Sequence, residues 1–428
     1  MSARTTTVKR RQFLGTACAA GAAVFVPQLI PAAVLGQQGA VPPSARITLG
    51  AIGIGSRGEY DLDCFLREPD ARFVAVCDVR ADRREAAKRR VDQTNGNQAC
   101  TTYRDLRDLL ARGDIDAVLI ATGPNWHGMA AILAARAGKD TYCEKPCTKT
   151  IAESPALAAA FRRSGRIFQA GTQRRNLPHF VFAVELARSG KLGKLQAVHA
   201  HPMGLATEMS GWAEPEPPPP REQLDWDLHL GTAAWRPYSR RNLNCFNFEE
   251  GGGMVGGGVL PWGSHTIDLC QWANDADHTA PIEYRPVEQG RATARYANGV
   301  ELIMRCDGWI GLGSCPVRFE GDAGWVEAGD SGKLALSSPQ LLAGRKVAEI
   351  GGYPATFHIR EFLDCVKSRA IPRANADVAC QAHIAGHAAN IAIFLGRPLK
   401  YDPQQNEFLG DDEANRLRCE ALREPWHA

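Results

Sequence analysis

Residues of three kinds stand where they could act together on a small molecule. The first is Gly53-Ile54-Gly55-Ser56-Arg57-Gly58, which directly follows an apolar run starting at Ile47. That spacing lets a strand turn sharply into a helix. Gly53 suits the turn, Gly55 lets a pyrophosphate approach the backbone, and Gly58 lets helix and strand pack closely. The second is Asp78, at the end of the apolar run 72–79 and twenty residues past Gly58. A carboxylate there can accept both ribose hydroxyls of the adenosine half of NAD. It would repel a 2′-phosphate, so NAD is expected over NADP, although Arg80 could offset the charge. The third is Glu144-Lys145-Pro146, at the end of a later apolar run. A lysine partly desolvated beside a nicotinamide could hydrogen-bond a reacting hydroxyl or lose its proton readily. On residue chemistry alone it is equally an ordinary loop lysine.

These groups need strand ends to hold them. Short apolar runs at 47–53, 72–78, 116–122, 140–144 and 167–171 alternate with helical stretches such as 104–111 and 129–137. The alternation predicts a doubly wound parallel sheet whose ligands sit at the carboxyl edge. Thr122-Gly123-Pro124-Asn125-Trp126-His127 falls at that edge, as do Glu144 and Lys145. Gln173, Arg174 and Arg175 follow the last strand of this half. The basic cluster around Arg83 and Arg84 reads as a solvated helix face.

Beyond residue 173 the pattern changes. A helix over 177–189 precedes strand-like runs at 195–200, 282–287, 290–297, 300–306 and 317–320, with Asn298-Gly299 as a hairpin turn. This predicts an α+β second domain with a large, mostly antiparallel open sheet. A late amphipathic helix is expected over 382–395. Trp212, Trp226, Trp235, Trp262 and Trp309 could pack the core or stack on a sugar. His199 and His201 alternate on one strand but lack a third ligand at a recognisable spacing, so no metal site is expected.

The chain has 428 residues and a net charge of +3 from 50 basic and 47 acidic side chains. Two domains are the natural expectation for this length. The balanced charge gives no nucleic-acid footprint. Near the start, VKRRQFLG and the apolar stretch 13–30 resemble a twin-arginine export signal. An uncleaved anchor is the other reading of that stretch, but its glycines and Pro27 argue against a stable span, and none is expected in the mature chain. The 13 cysteines are scattered with no CxxC pair, which suggests buried free thiols. The expected layout is a signal at 1–36, a linker at 37–45, a dinucleotide-binding domain at 46–173, a second domain at 174–400, and a tail at 401–428 packing back on the body.

GIGSRG, Asp78, PNWH, Glu144-Lys145-Pro146 and GTQRR occur in order and at the intervals of the Gfo/Idh/MocA oxidoreductases, which the chain resembles from Ile47 to Trp426. LDWDLHLG, GGGMVGGG, WGSHTIDLCQW and the terminal REPW resemble the exported bacterial branch. The resemblance implies a Rossmann domain binding NAD or NADP, with a sugar, polyol or derivative held between the nicotinamide and the second sheet. It implies a catalytic Lys145 and an acid/base His265. Cofactor contacts are expected from Gly53, Ile54, Gly55, Ser56, Arg57, Gly58, Asp78, Thr122, Asn125, His127, Glu144, Lys145 and Gln173. Substrate contacts are expected from Arg174, Trp262 and Asp268. A homo-oligomer, dimer or tetramer, is implied as well.

One residue departs from the pattern. Many relatives carry an Asp four residues before the histidine, where this chain has Pro261. Glu249, Glu250 or Asp268 could replace it. The departure leaves three functions open: an exported oxidoreductase with a tightly held cofactor, an NAD-dependent glycoside hydrolase or lyase resembling the α-N-acetylgalactosaminidase type, and a non-catalytic binding relative.

Overall fold

Strand β1 (Ile47–Ile52) can lie at the centre of a sheet because both its faces are apolar. Leu49 and Ala51 enter one core, and Ile52 enters the other. The same division runs through β4 (Ala117–Ile120), whose Ala117 and Leu119 face one core and Val118 and Ile120 the other. With β2 (Ala71–Cys77), β3 (Thr101–Tyr103), β5 (Asp140–Cys143) and β6 (Phe168–Ala170), these strands form a parallel sheet in the order β3-β2-β1-β4-β5-β6. The reversal of order beside β1 creates the crevice where such sheets bind ligands. Strand β3 was not expected. Its three residues, Thr-Thr-Tyr, lack the apolar run that marks the others. The computed structural model describes residues 41–202, 214–240, 243, 259–287 and 291–427.

Helices α1 (Ser56–Leu66), α2 (Ala81–Asn95), α3 (Leu106–Leu110), α4 (Pro124–Arg136) and α5 (Glu153–Ser164) connect these strands. After α6 (Pro178–Arg188) come β7 (Leu195–Ala200), α7 (Trp226–Leu230), α8 (Leu260–Ala273) and β8 (Glu283–Val287). Then follow β9 (Arg291–Arg295), β10 (Glu301–Arg305), β11 (Val317–Gly321), β12 (Gly324–Ala328) and β13 (Leu334–Leu336). The chain closes with α9 (Thr356–Ser368), α10 (Ala376–Leu395), β14 (Leu399–Asp402), β15 (Glu407–Phe408) and α11 (Asp412–Arg416). The second sheet has nine strands in the order β13-β12-β11-β7-β10-β9-β8-β14-β15, parallel only between β7 and β10. The Asn298-Gly299 turn closes the β9–β10 hairpin, with Gly299 at φ 88° and Tyr296 N–H donating to Val300 O.

Three boundaries differ from expectation. The helix expected at 382–395 begins at Ala376, where Asn375 accepts from the N–H groups of Asp377 and Val378. It is long and apolar enough to cross a bilayer, yet it is mostly buried, so it is a core helix and not an amphipathic surface one. The stretch 401–428 is not merely a tail, because β15 pairs with Tyr401 and Asp402 of β14 and extends the second sheet. The division at 173 is not clean either, since Ile359, Phe362 and Leu363 of α9 complete the core under α1. Residues 41–46 carry a short turn at Pro43–Ala45, and residues 1–40, on which the expected signal falls, lie outside the described residues. Among the described residues eleven cysteines are free, and all but Cys306 and Cys419 are buried.

Buried Glu153 in the first turn of α5 fits against Gly128 of α4 and accepts from Lys149 N–H at 2.7 Å. Burial, only partly offset by that N–H and the Lys149 ammonium, pushes its carboxyl up to about 7. The ordinary value in an unfolded chain is about 4.3. The neutral form therefore contributes stability that is complete below the unfolded value and is lost as pH rises through about 7. Glu153→Gln should leave melting near pH 4 unchanged. By pH 8 it should stabilise the protein by about 4 kcal/mol, since each tenfold change in proton affinity is worth roughly 1.4 kcal/mol. Thermal melts of both proteins across this range check it, and a difference independent of pH would refute it.

Candidate active site

Apolar β1 ends where Gly53 takes φ +79°, a left-handed conformation that glycine adopts freely. A Cβ on Gly53 would lie 2.5 Å from Thr122 N, and one on Gly58 would lie 2.4 Å from Gly53 O. No side chain fits at either place, so the turn and α1 close tightly and leave open space over Gly55 and Ser56. That space is a groove of about 270 Å³, lined by the turn, Arg57, Asp78, Arg83, Thr122, Asn125 and His229. Asp78 accepts from Ile54 N–H at 2.7 Å and from Arg80 N–H at 2.9 Å, which leaves each oxygen a second lone pair for a ribose hydroxyl. Burial pushes its carboxyl up, against the pull of these two N–H groups. The glycine cradle, the N-terminus of α1 and the carboxylate together fit a dinucleotide, with the turn and helix end holding the pyrophosphate and Asp78 the ribose.

A second cavity of about 250 Å³ contains Glu144, Lys145, Gln173, Arg174, Trp262, His265, Cys315 and Tyr353. Both cavities are lined by Arg57, Ala121, Thr122 and Pro124, so one groove runs from the glycine turn to Lys145 and His265. Strand β5 delivers Glu144 and Lys145, and the Lys145–Pro146 peptide is cis. The following loop is tied down by His127 Nδ1, 2.7 Å from Pro146 O, and by Cys147 N–H donating to His383 Nε2. Lys145 Nζ donates to Pro261 O at 2.8 Å. Burial lowers its ammonium against the opposing pull of Glu144. Glu144 accepts from Gln173 Nε2 at 2.7 Å and from Lys145 N–H at 3.2 Å.

His265 is only 5% exposed, and its Nδ1 has no hydrogen-bond partner. Burial, then the charges of Arg174 and Lys145, holds the imidazole well below its ordinary value. It is thus neutral, with a lone pair available to accept a proton. At the position four residues before His265, Pro261 offers Lys145 a carbonyl oxygen.

Family models match the two parts of this structure. One, described as "Oxidoreductase family, NAD-binding Rossmann fold", matches residues 47–172, and one described as "Oxidoreductase family, C-terminal alpha/beta domain" matches residues 207–428. The chain belongs to the Gfo/Idh/MocA oxidoreductase family. It is 28% identical over 296 residues to rhizopine catabolism protein MocA of Rhizobium meliloti, covering 67% of this chain and 77% of that one. It is 32% identical over 262 residues to a glycosyl hydrolase family 109 protein of Shewanella baltica, covering 56% and 52%. Among solved structures, myo-inositol 2-dehydrogenase from Lactobacillus plantarum shares the fold at TM-score 0.59 and 19% identity, over 83% of this chain and 100% of that one. The chain spans about half the length of most curated relatives it matches.

Within this family framework several expected contacts are reassigned. Asp268 does not reach the substrate cavity. Arg175 Nε and Nη2 donate to its carboxylate at 2.7 and 2.9 Å, and Arg175 also holds Asp277. Asn125 lines the groove, but its side-chain nitrogen donates to His229 O and Leu230 O. His127 lines the inner cavity, and its ring nitrogens lie against two carbonyl oxygens, so it braces the Lys145 loop. Arg80 is paired with Asp82 and is not among the residues lining the groove. Arg83 and Arg84 are not simply solvated: Arg83 lines the groove, and Arg84 donates to Asp78 O at 2.6 Å. Glu249, Glu250, Trp212 and GGGMVGGG lie outside the described residues.

Sequence reasoning missed Cys315 and Tyr353 in the inner cavity, and Leu228 and His229 over the outer groove. The last two belong to a strap that joins the first domain through Asp225 N–H to Val79 O, Ala81 N–H to Gln223 O and Trp126 Nε1 to Leu228 O. A usable signal existed in the Asp225 cap of α7, which accepts from Leu228 N–H. Nothing local marked where the helix would dock.

Replacing Arg175 with Met should strand two carboxylates, one fully buried. Breaking such a pair costs about 3–5 kcal/mol. Denaturant unfolding should therefore show a large loss of stability with nucleotide affinity per folded molecule unchanged. Wild-type stability combined with a raised KM would instead return Asp268 to substrate binding.

Proposed function

We propose that the protein is an exported enzyme that oxidises a hydroxyl-bearing carbon of a sugar, polyol or related molecule, using a tightly held NAD. The observation that carries this reading is the continuous groove from the glycine turn to a cavity holding Lys145 and a neutral His265 with an unpartnered Nδ1. Bound NAD supplies the hydride acceptor. Lys145 donates a hydrogen bond to the reacting oxygen, and His265 offers a lone pair for its proton. Trp262 and Tyr353 add aromatic walls suited to the C–H face of a sugar ring. The strap from Gln223 to Thr232 covers the outer groove and supports a cofactor that is retained. The names of the MocA and inositol 2-dehydrogenase relatives support the substrate class.

A redox-neutral variant is the second reading, favoured by the Lys145–Pro261 contact and the glycosyl hydrolase family 109 relatives. There the enzyme would transiently oxidise a glycoside, eliminate the leaving group and return the hydride. Export is supported by VKRRQFLG near the start of the chain. A homo-oligomer is supported by the second sheet, whose helices cover one face and leave the other carrying Arg285, Arg291 and Arg295.

The purified protein, given no added cofactor, should release the aglycone from aryl glycosides if the redox-neutral reading holds. With polyols or aldoses and added NAD, absorbance of reduced nicotinamide should grow if net oxidation holds. Lys145→Met should lower turnover by about 10²–10⁴-fold while NADH still quenches tryptophan fluorescence. Unchanged turnover in that variant would remove Lys145 from the mechanism.

A further inference from the structure

LDWDLHLG at 224–231 and the terminal REPW at 423–426 lie far apart in the chain and meet in the structure. The first forms most of the strap over the outer groove. One edge of that strap is hydrogen-bonded to residues 79–81, directly after Asp78, through Asp225 N–H to Val79 O and Ala81 N–H to Gln223 O. The other edge rests on the first turn of α4. There Trp126 Nε1 donates to Leu228 O at 2.7 Å, Asn125 Nδ2 to Leu230 O at 3.0 Å, and Thr232 Oγ1 to Asn125 O at 2.8 Å. Gly231 sits so close to Trp126 that a Cβ on it would lie 2.2 Å from the indole. The strap therefore crosses from the segment after the ribose-binding carboxylate to α4, and its Leu228 and His229 line the groove.

The strap has little of its own to hold it down. Its helix α7 has five residues, and a helix this short is not stable alone in water. The end of the chain supplies the grip. Arg423 Nε lies 3.1 Å from Gly231 O and 3.2 Å from Ala233 O, and Nη2 donates to Asp227 O at 2.7 Å. A guanidinium at the carbonyl end of a helix suits the helix dipole and satisfies carbonyls that the helix leaves unpaired. Its ion pair with the Asp227 carboxylate adds little, because that carboxylate is largely exposed. Arg423 N–H donates to Thr232 O as well. Trp426 is buried edge-on against Trp126, with ring centroids 4.6 Å apart, and the Arg107 guanidinium lies 4.9 Å from the Trp426 ring centre. Trp126 thus touches the strap and the terminal segment at once. Neither Arg423 nor Trp426 is among the residues lining the groove or the inner cavity.

We propose that Arg423 and Trp426 latch the strap over the adenosine half of bound NAD and so set how slowly the nucleotide leaves. This rests on the cofactor reading above and names what enforces retention. Both are positioning residues, acting through α7 and Trp126 without touching the cofactor. With the latch engaged, a dinucleotide whose ribose is held by Asp78 is released only when the strap lifts. Lifting the strap uncovers the carbonyls that Arg423 satisfies and breaks the bond from Trp126 to Leu228. Release and latch opening are then one event, and a nucleotide in the groove steadies the end of the chain from a distance.

The test uses the full chain loaded with NADH. Excess NAD⁺ is added in a stopped-flow instrument, and release is followed by the fluorescence of NADH itself. Arg423→Met should raise the release rate about tenfold or more, the scale of one lost hydrogen bond to a charged group. Trp426→Leu should raise it as well, and Arg423→Lys, which keeps a charged donor, should recover part of the slow release. Release rates in Arg423→Met and Trp426→Leu equal to the wild-type rate overturn the proposal, even where the melting temperature of the nucleotide-free protein falls, since the terminal segment is then only a brace. Should the variants fail to fold, hydrogen exchange in the wild type decides. NAD should slow exchange of the Arg423 amide together with those of Ala81 and Asp225, and protection of Ala81 and Asp225 alone overturns the proposal. A wild type that binds no nucleotide refutes the cofactor reading itself, a result distinct from bound nucleotide that leaves at an unaltered rate.

Discussion

The hydrogen bond from Lys145 Nζ to Pro261 O joins the carboxyl edge of the first sheet to the opening turn of α8. Everything around the inner cavity is arranged on those two elements. The acceptor is a neutral carbonyl at the positive end of a helix, where the helix dipole disfavours a cation. A carboxylate in the same place would have held the lysine fully charged. The carbonyl satisfies one N–H without supplying a counter-charge, so the ammonium is positioned and still able to lose its proton. Proline serves well here because its missing N–H has no role in the first turn of a helix.

These groups are held in place by buried pairs elsewhere. Arg175 with Asp268 and Asp277 ties the segment after β6 to α8, and so fixes the helix that presents His265. Arg174 with Asp330 does the same for the strands behind the cavity. Buried ion pairs are weak sources of stability, but they are strict about geometry. Their place between the two sheets suits that use, since a sub-ångström shift of α8 would separate Lys145 from its acceptor.

The parallel sheet and the glycine turn were legible because both rest on local rules: continuous apolar runs, and glycine where a Cβ cannot fit. Lys145 and Asp78 were legible because strand ends put them at the ligand edge. Strand β3 was not, because its Thr-Thr-Tyr sequence is held by its neighbour and not by its own pattern. Asp268 looked available because only its helix spacing from His265 could be read, whereas its partner lies 93 residues away. The role of Arg83 was hidden for a similar reason: a basic helix face looks the same in sequence whether it meets solvent or a groove.

The charges facing the inner cavity are matched almost one by one. Arg57 faces the Asp61–Glu144 pair, and Arg174 is held by Asp330 while lying over the ring of Tyr353 at 4.9 Å. Among the described lining residues this leaves Lys145, engaged by a carbonyl, and His265, which is neutral. A cationic molecule would have to compete with Arg57 or Arg174 for a buried carboxylate, at a cost of several kcal/mol. A neutral polyhydroxylated molecule needs only hydrogen bonds and an apolar face.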